Sequence, residues 1–313
     1  MLHELGWDDD WAGELPEGLT PARVVAVHRG RVRVLGDDAD ELVPVAGTAG
    51  EAPVVGDWVG LREGAVRAVL PRRTTLSREG GALVANVDLA IIATSMNRDL
   101  NPRRLERFVA LARAGGIAPL VLLTKGDLSP DPAGEAERVR ERLGVDVLPL
   151  SAHDGWGVPA LRAALEPRRT AVLVGMSGVG KSTLVNLLLG EERQKTLDLR
   201  NDDRGRHATT HRELFVLDNG GLLIDTPGVR SPGLATAEGV EEAFPDIAEL
   251  ALQCRFSDCR HEDEPGCAVR GAVPADRLES WRKLQREGMD AAERKARSRD
   301  GSKAYREWQR LNR

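Results

Sequence analysis

Gly175-Met176-Ser177-Gly178-Val179-Gly180-Lys181-Ser182 fits the pattern G-x-x-x-x-G-K-[ST]. Glycines at this spacing let backbone N–H groups wrap phosphate oxygens, Lys181 adds a point charge, and Ser182 is placed to ligate Mg²⁺, with Thr183 beside it. The apolar run TAVLVG in front reads as a strand, and STLVNLLL behind it reads as a helix whose N-terminus favours an anion. Strand, glycine loop and helix in that order predict a nucleoside triphosphate site on an α/β sheet.

The flanking sequence extends that sheet. NVDLAIIATS, APLVLLTKGD, GVDVLPLSA and GGLLIDTPG are apolar runs ending in polar loops. Between them lie RRLERFVALARAGG, EAERVRERLG and VPALRAAL, which have helical periodicity. The alternation predicts a mainly parallel sheet covered by helices, with ligands beyond the carboxyl ends of the strands.

Three of those ends carry base- and metal-reading chemistry. Thr124-Lys125-Gly126-Asp127 closes the strand PLVLL. A carboxylate at Asp127 accepts from guanine N1–H and the 2-amino group, whereas adenine would leave it unpaired. Lys125 packs its stem over the base. A helix-capping aspartate is the competing reading of Asp127 taken alone. Ser151-Ala152 follows GVDVLPL and offers a backbone N–H to the guanine carbonyl. Asp225-Thr226-Pro227-Gly228 follows GLLI, where Asp225 holds Mg²⁺ through water and Gly228 meets the γ-phosphate. Together these predict a GTPase site.

Upstream, from Ala22 to about Leu70, Val and Arg alternate in short runs (ARVVAVHRGRVRVLG, GDWVGLREGAVRAVL), with Gly and Asp at the turns. About 50 antiparallel residues of this kind suit a small OB-like barrel. Arg23, Arg29, Arg31, Arg33 and Trp58 are its basic and aromatic candidates for a nucleic-acid surface. Residues 1–20 read as a flexible extension in which Trp7 and Trp11 are stranded among acids.

The base readers precede the phosphate loop, which precedes Asp225, whereas in ordinary small GTPases the phosphate loop comes first and the base readers last. That is a circular permutation, and the chain resembles the RsgA (YjeQ) family of circularly permuted GTPases acting in small-ribosomal-subunit biogenesis. The resemblance implies an OB-like barrel over 21–72, a permuted P-loop GTPase domain over 73–232, and a zinc-binding, mainly helical domain over 233–313. It also implies GTP hydrolysis that times binding to the 30S subunit and its rRNA. Residues 190–213 (GEERQKTLDLRNDDRGRHATTHRE) would then be switch I, with Thr209 or Thr210 reaching Mg²⁺ and the γ-phosphate. Val229 stands where many GTPases place a water-orienting Gln. The resemblance assigns that task to His207, with His211 as the alternative. Ala208 and Thr124 depart from the family pattern, which has Thr and more commonly Asn there.

Cys254-x4-Cys259-x-His261-x5-Cys267 gathers every cysteine of the chain into 14 residues. Three thiolates and an imidazole make a closed, structural tetrahedral Zn²⁺ site, and the spacing matches the same family. Little apolar sequence surrounds it, so metal supplies folding energy, and chelation is expected to unfold this region while nucleotide binding persists.

Composition sets the outer limits. The 313 residues carry 44 Lys+Arg against 49 Asp+Glu, a net charge of −5, with 41% hydrophobic residues, an ordinary globular balance. From Trp281 to Arg313 there are 11 basic and 5 acidic residues, so the tail is +6 and the body −5 − 6 = −11. An anionic partner met at one end fits that split, as does a solvated helix face. No run approaches the ~18 apolar residues of a membrane helix, and the acidic N-terminus has no leader-like apolar core. Clustered, odd-numbered cysteines fit a reducing compartment. A cytoplasmic, monomeric protein is expected. Two other readings compete: a P-loop small-molecule kinase or ATPase, and a regulatory nucleotide-binding module with no ribosomal partner. Preference for ATP would favour the first of these, and indifference to ribosomal subunits the second.

Overall fold

The computed structural model describes residues 1–47, 49–78, 81–97, 100–190, 212–226 and 237–288. By contact they fall into two compact units. One joins Met1–Asn101 to Gly115–Ser231, and the other joins Pro102–Ala114 to Pro232–Arg313.

The first unit is built on one continuous sheet. Its nucleotide-type half comprises β8 (Leu89–Ser95), β9 (Ala118–Thr124), β10 (Asp146–Pro149), β11 (Thr170–Gly175), β12 (Glu213–Val216) and β13 (Leu222–Asp225). Their order is β10-β9-β8-β11-β13-β12, parallel except for β12. Every residue of β8 and β11 is buried, as expected of parallel strands covered on both faces. Leu89, Ile91 and Ala93, alternating on one face of β8, share a core with helix α4 (Val158–Ala164) through Leu161 and helix α5 (Lys181–Leu189) through Leu184 and Leu188.

The expected barrel is present. β1 (Thr20–His28), β2 (Arg31–Leu35), β3 (Asp40–Pro44), β4 (Trp58–Arg62) and β5 (Ala65–Val69) pair as β3-β2-β1-β4-β5. A bridge between Val45 and Val66 closes the ring. Its interior holds the inward half of the Val alternation: Ala22, Val24, Val32, Val34, Val43, Val59 and Val66. A register shift between Val24 and Ala26 bends β1 within the barrel. Beyond it, Ala26 pairs with Glu213 of β12, which makes barrel and nucleotide sheet one surface.

Residues 1–20 depart from the sequence expectation. Leu2–Leu5 forms a 3₁₀ turn and Asp9–Glu14 a helix (α1), capped by the Asp8 side chain accepting from Trp11 N at 2.9 Å. Leu5 and Trp11 are 1% and 3% exposed. The acids do not loosen this segment, because Asp8 pairs with Arg73 at 2.6 Å and that guanidinium lies 4.0 Å over the Trp11 ring. Arg23 and Trp58 also depart. Both were candidates for an exposed nucleic-acid face, and they are 2% and 1% exposed.

The second unit takes helix α2 (Pro102–Ala114) from between β8 and β9 in sequence and groups it with α6 (Ala237–Ala243), α7 (Pro245–Ala251) and a helix over 275–288, α8. Gly239 of α6 sits directly against Ala110 and Ala114 of α2, so these backbones approach closely. Arg277 of α8 is buried between Glu106 at 3.1 Å and Asp246 at 2.7 Å, with its guanidinium 4.7 Å from the Phe244 ring. Arg103–Glu279 and Arg107–Glu287 repeat the α2–α8 pairing. Among the described residues no helix is long and apolar enough to cross a membrane.

Candidate functional site

The sheet topology brings the motifs to one edge. Gly175, Thr124 and Asp225 each end a strand, and Ser151 follows β10. Ser95 pairs with Thr124, and Ala93 with Gly175, so these ends lie level with one another. The predicted loops therefore converge on the sheet's carboxyl edge.

Gly175 leaves β11 at φ 143°, and a Cβ there would collide with the Ala93 carbonyl. Only glycine permits the phosphate loop to start this close to β8. Lys181 arches back so that Nζ donates to the Gly175 carbonyl at 2.8 Å and the Met176 carbonyl at 2.7 Å, closing the loop on itself. Ser177, Gly178, Ser182 and Thr183 are exposed and free to meet phosphate and metal, with Met176 and Gly180 partly buried beside them. Val179 differs: its side chain is buried in the core, so only its main chain faces the loop.

The base-reading loops are fastened to each other. Asp127 lies in a short 3₁₀ turn (Gly126–Leu128), and its Oδ1 accepts from Ser151 Oγ at 2.8 Å. Gly126 N donates to the Leu150 carbonyl at 2.9 Å. The capping alternative for Asp127 fails, because Asp131 caps helix α3 (Pro132–Leu143) by accepting from Gly134 N at 2.9 Å. Asp127 is exposed, and Ala152 lies beside Ser151 with its side chain half-buried.

Thr124 has a role that its motif position did not suggest. It is 3% exposed, and its hydroxyl lies 2.7 Å from the Val179 carbonyl and 3.2 Å from that of Thr94. The bond to Val179 ties the base-reading strand to the phosphate loop. Trp156 was also unforeseen. It sits over Gly126 closely enough that a Cβ there would strike its ring, and it is 39% exposed. Nothing in the separation of Gly126 and Trp156 along the chain signals that approach.

Asp225 is partly buried, and burial raises its pKa from the ordinary carboxylate value against the opposing pull of Lys181 and the Thr226 N–H. A divalent cation at this carboxylate would reverse the effect of burial. His207, Thr209, Thr210 and Gly228, as well as Val229 and His211, lie outside the described residues.

In the second unit, one ligand atom from each of Cys254, Cys259, His261 and Cys267 lies within 4.8 Å of the others. His261 Nδ1 is 3.5 Å from both Cys254 Sγ and Cys267 Sγ. Bond lengths of ~2.3 Å to sulfur and ~2.0 Å to nitrogen place tetrahedral S and N ligands roughly 3.5 Å apart, so the donor set fits Zn²⁺. Ala268 N and Arg270 N donate to Cys254 Sγ and Cys267 Sγ at 3.4 and 3.3 Å, as thiolates require. Burial lowers the His261 pKa, which favours the neutral ring a metal ligand must have.

Comparison with known proteins agrees with this architecture. A family model described as RsgA GTPase matches residues 69–235. A Streptomyces coelicolor protein named small ribosomal subunit biogenesis GTPase RsgA is 47% identical, over 92% of this chain and 87% of its own. A Methanosarcina acetivorans protein of the same name is 44% identical, over 89% and 83%. Among solved structures, YloQ, titled a circularly permuted GTPase, aligns with TM-score 0.64 at 28% identity, covering 88% of this chain and 96% of that one. YjeQ from Thermotoga maritima gives 0.63 at 26%, covering 86% and 98%. A family model spanning more than half the chain, and relatives this similar along nearly all of it, establish that the chain belongs to the RsgA GTPase family.

Proposed function

We propose that this chain hydrolyses GTP in late assembly of the small (30S) ribosomal subunit, binding the subunit and its rRNA and leaving when GTP is cleaved. The observation that carries the reading is the convergence of TKGD, SA, the phosphate loop and Asp225 on one sheet edge, in permuted order, with Ser151 holding Asp127. The names of the relatives support the ribosomal partner.

In this reading Asp127 accepts from the guanine edge, Lys125 covers the base plane, and the main chain at Ser151-Ala152 meets the guanine carbonyl. Backbone N–H groups from Gly175 to Lys181 cradle the phosphates, with Lys181 turning from the loop carbonyls toward the β/γ-phosphates. Ser182 and Asp225, with Thr209 or Thr210, would hold Mg²⁺, which would supply charge neutralisation to the triphosphate. Gly228 donates to the γ-phosphate and His207 orients the attacking water. One structural Zn²⁺ at Cys254, Cys259, His261 and Cys267 stiffens the second unit. The factor works as a monomer in the cytoplasm.

Phosphate release from GTP and from ATP, with and without isolated small subunits, tests the proposal. Slow GTP-selective turnover accelerated by subunits supports it. Selectivity without acceleration removes the ribosomal partner, and preference for ATP removes the guanine reading.

A further inference from the structure

At the amino ends of β8 and β11, opposite the phosphate loop, lies a cavity of about 500 Å³. That is inside the ~300–1,000 Å³ range of small-molecule pockets and far larger than a lone phosphate needs. Its lining comes from the N-terminal extension, the barrel and the nucleotide sheet, all within the first unit.

Its floor is Arg23. The guanidinium donates to the carbonyls of Leu5, Gly56 and Asn86 and to Thr170 Oγ1, and it lies 5.2 Å from the Trp58 ring. Among the described residues no carboxylate forms an ion pair with it. Burial alone holds its pKa down to about 10, against the pull of Asp88 and Asp57. Arg23 thus hydrogen-bonds only to dipoles, with Asp57 tied to Arg72 and Asp88 nearby but unpaired with it, and it adds positive charge at the cavity floor.

The walls supply aromatic surface and further cations. Trp7 is partly exposed, its ring 4.8 Å from that of the buried Trp58. Arg168 and Arg169 also line the cavity, and the Arg168 carbonyl lies close to Gly6, the residue before Trp7. Their guanidinium groups meet His3 Nε2 at 2.7 Å and the Ala164 carbonyl at 3.3 Å, neither of them acidic. Arg168 also holds a left-handed backbone, φ 67°, a conformation that costs an ordinary residue roughly 1–2 kcal/mol and tends to be kept where position matters. The acids are fewer. Asp8 is paired with Arg73, and Asp88 accepts from Thr170 N at 2.7 Å, leaving Glu166 toward the ligand.

We propose that this cavity is a second nucleotide pocket that takes one nucleoside monophosphate unit, its base against Trp7 and its phosphate on Arg168 and Arg169. Indole faces stack any base, and guanidinium forks match phosphate oxygens. Glu166 in the lining can accept from base amino or ribose hydroxyl groups. The unit comes either as a free mononucleotide or as one extruded nucleotide of an RNA strand. It does not compete with GTP, because the two sites lie at opposite ends of β11.

The test uses the full chain with GDP and Mg²⁺ saturating the guanine site, and follows tryptophan fluorescence on titration with AMP and anisotropy of a fluorescein-labelled oligo(A) RNA. Saturable binding of at least one probe is expected, weakened by about tenfold or more when Arg168→Glu and Arg169→Glu are combined. Arg138→Glu on the exposed face of α3 should leave that binding unchanged, and GTP turnover should not move in either variant. Trp7→Phe should retain binding that Trp7→Ala loses; the arginine pair decides the matter if Trp7→Ala unfolds the extension. AMP binding as tightly as the RNA assigns a free nucleotide, and RNA binding without AMP assigns a strand. No saturable binding of either probe at millimolar concentration overturns the pocket. So does binding that ignores the Arg168/Arg169 reversal or falls equally with Arg138→Glu.

Discussion

Thr170 and Gly175 are the first and last residues of β11, roughly 16 Å apart at ~3.3 Å per residue, and their surroundings treat polar groups in opposite ways. At Thr170, Arg23 is fully enclosed and its hydrogen bonds run to four separate chain segments. At Gly175, the loop bonds to itself through one half-buried lysine, and its hydroxyls at Ser177, Ser182 and Thr183 face solvent. Groups already satisfied by protein hold the fold, whereas groups left open bind and react. One strand thus carries a fixed end and a working end.

Lys181→Ala strikes the working end and carries the largest expected effect. Removing the cation from the β/γ-phosphate position should lower GTP turnover by ~10²–10³-fold, with the urea midpoint unchanged. A shift of the midpoint as large as that of a core variant would erase the contrast. Arg23→Leu strikes the fixed end and should do the converse. It strands the buried Leu5 and Asn86 carbonyls and the Thr170 hydroxyl, while the Gly56 carbonyl keeps Asn86 Nδ2, so unfolding free energy should fall by about 3 kcal/mol or more and turnover below the transition persists.

Thr124→Val sharpens the boundary between the two kinds of group, because Thr124 is buried like Arg23 but serves the loop. Loss of its bond to the Val179 carbonyl should weaken GTP by roughly tenfold, about 1.4 kcal/mol, with the GTP-over-ATP ratio unchanged. Collapse of that ratio would mean that Thr124 touches the base. Asp225→Asn gives the smallest effect on stability, and that effect depends on pH. Burial raises the Asp225 pKa in the folded chain, so its stabilising contribution is full below the unfolded pKa and lost as pH rises through the folded one. The nucleotide-free variant should therefore melt slightly higher than wild type at neutral pH and match it in acid, even though Mg²⁺-dependent turnover is lost.

Legibility followed the same division. The phosphate loop, TKGD, SA and Asp225 stand out in the sequence because open sites need particular residue types at fixed spacing, and the sheet sets them at one edge; the Cys/His knot, clustered in space, stands out for the same reason. β8, β9 and β11 announced themselves as uninterrupted apolar runs, and the barrel as Val alternation. The fixed end was not readable. Arg23 looks like any strand arginine until Leu5, Gly56, Asn86 and Thr170 surround it, at sequence separations of 18 to 147 residues. Trp7 and Trp11 read as loose because their partners, Trp58 and Arg73, lie in other elements. The grouping of α2 with the C-terminal helices was hidden too, since its periodicity reports an apolar face but not which neighbour covers it.

That grouping has a consequence for the chain's own synthesis. Helix α2 leaves the ribosome about 120 residues before α6 begins, which at ~5–20 residues per second is a delay of roughly 6–25 s. During that interval the nucleotide sheet can assemble around β8 and β9, but Ala110, Ala114 and Glu106 lack Gly239 and Arg277. A nascent chain stalled before residue 237 should therefore carry α2 as a sticky, unfinished segment, the natural handle for a chaperone.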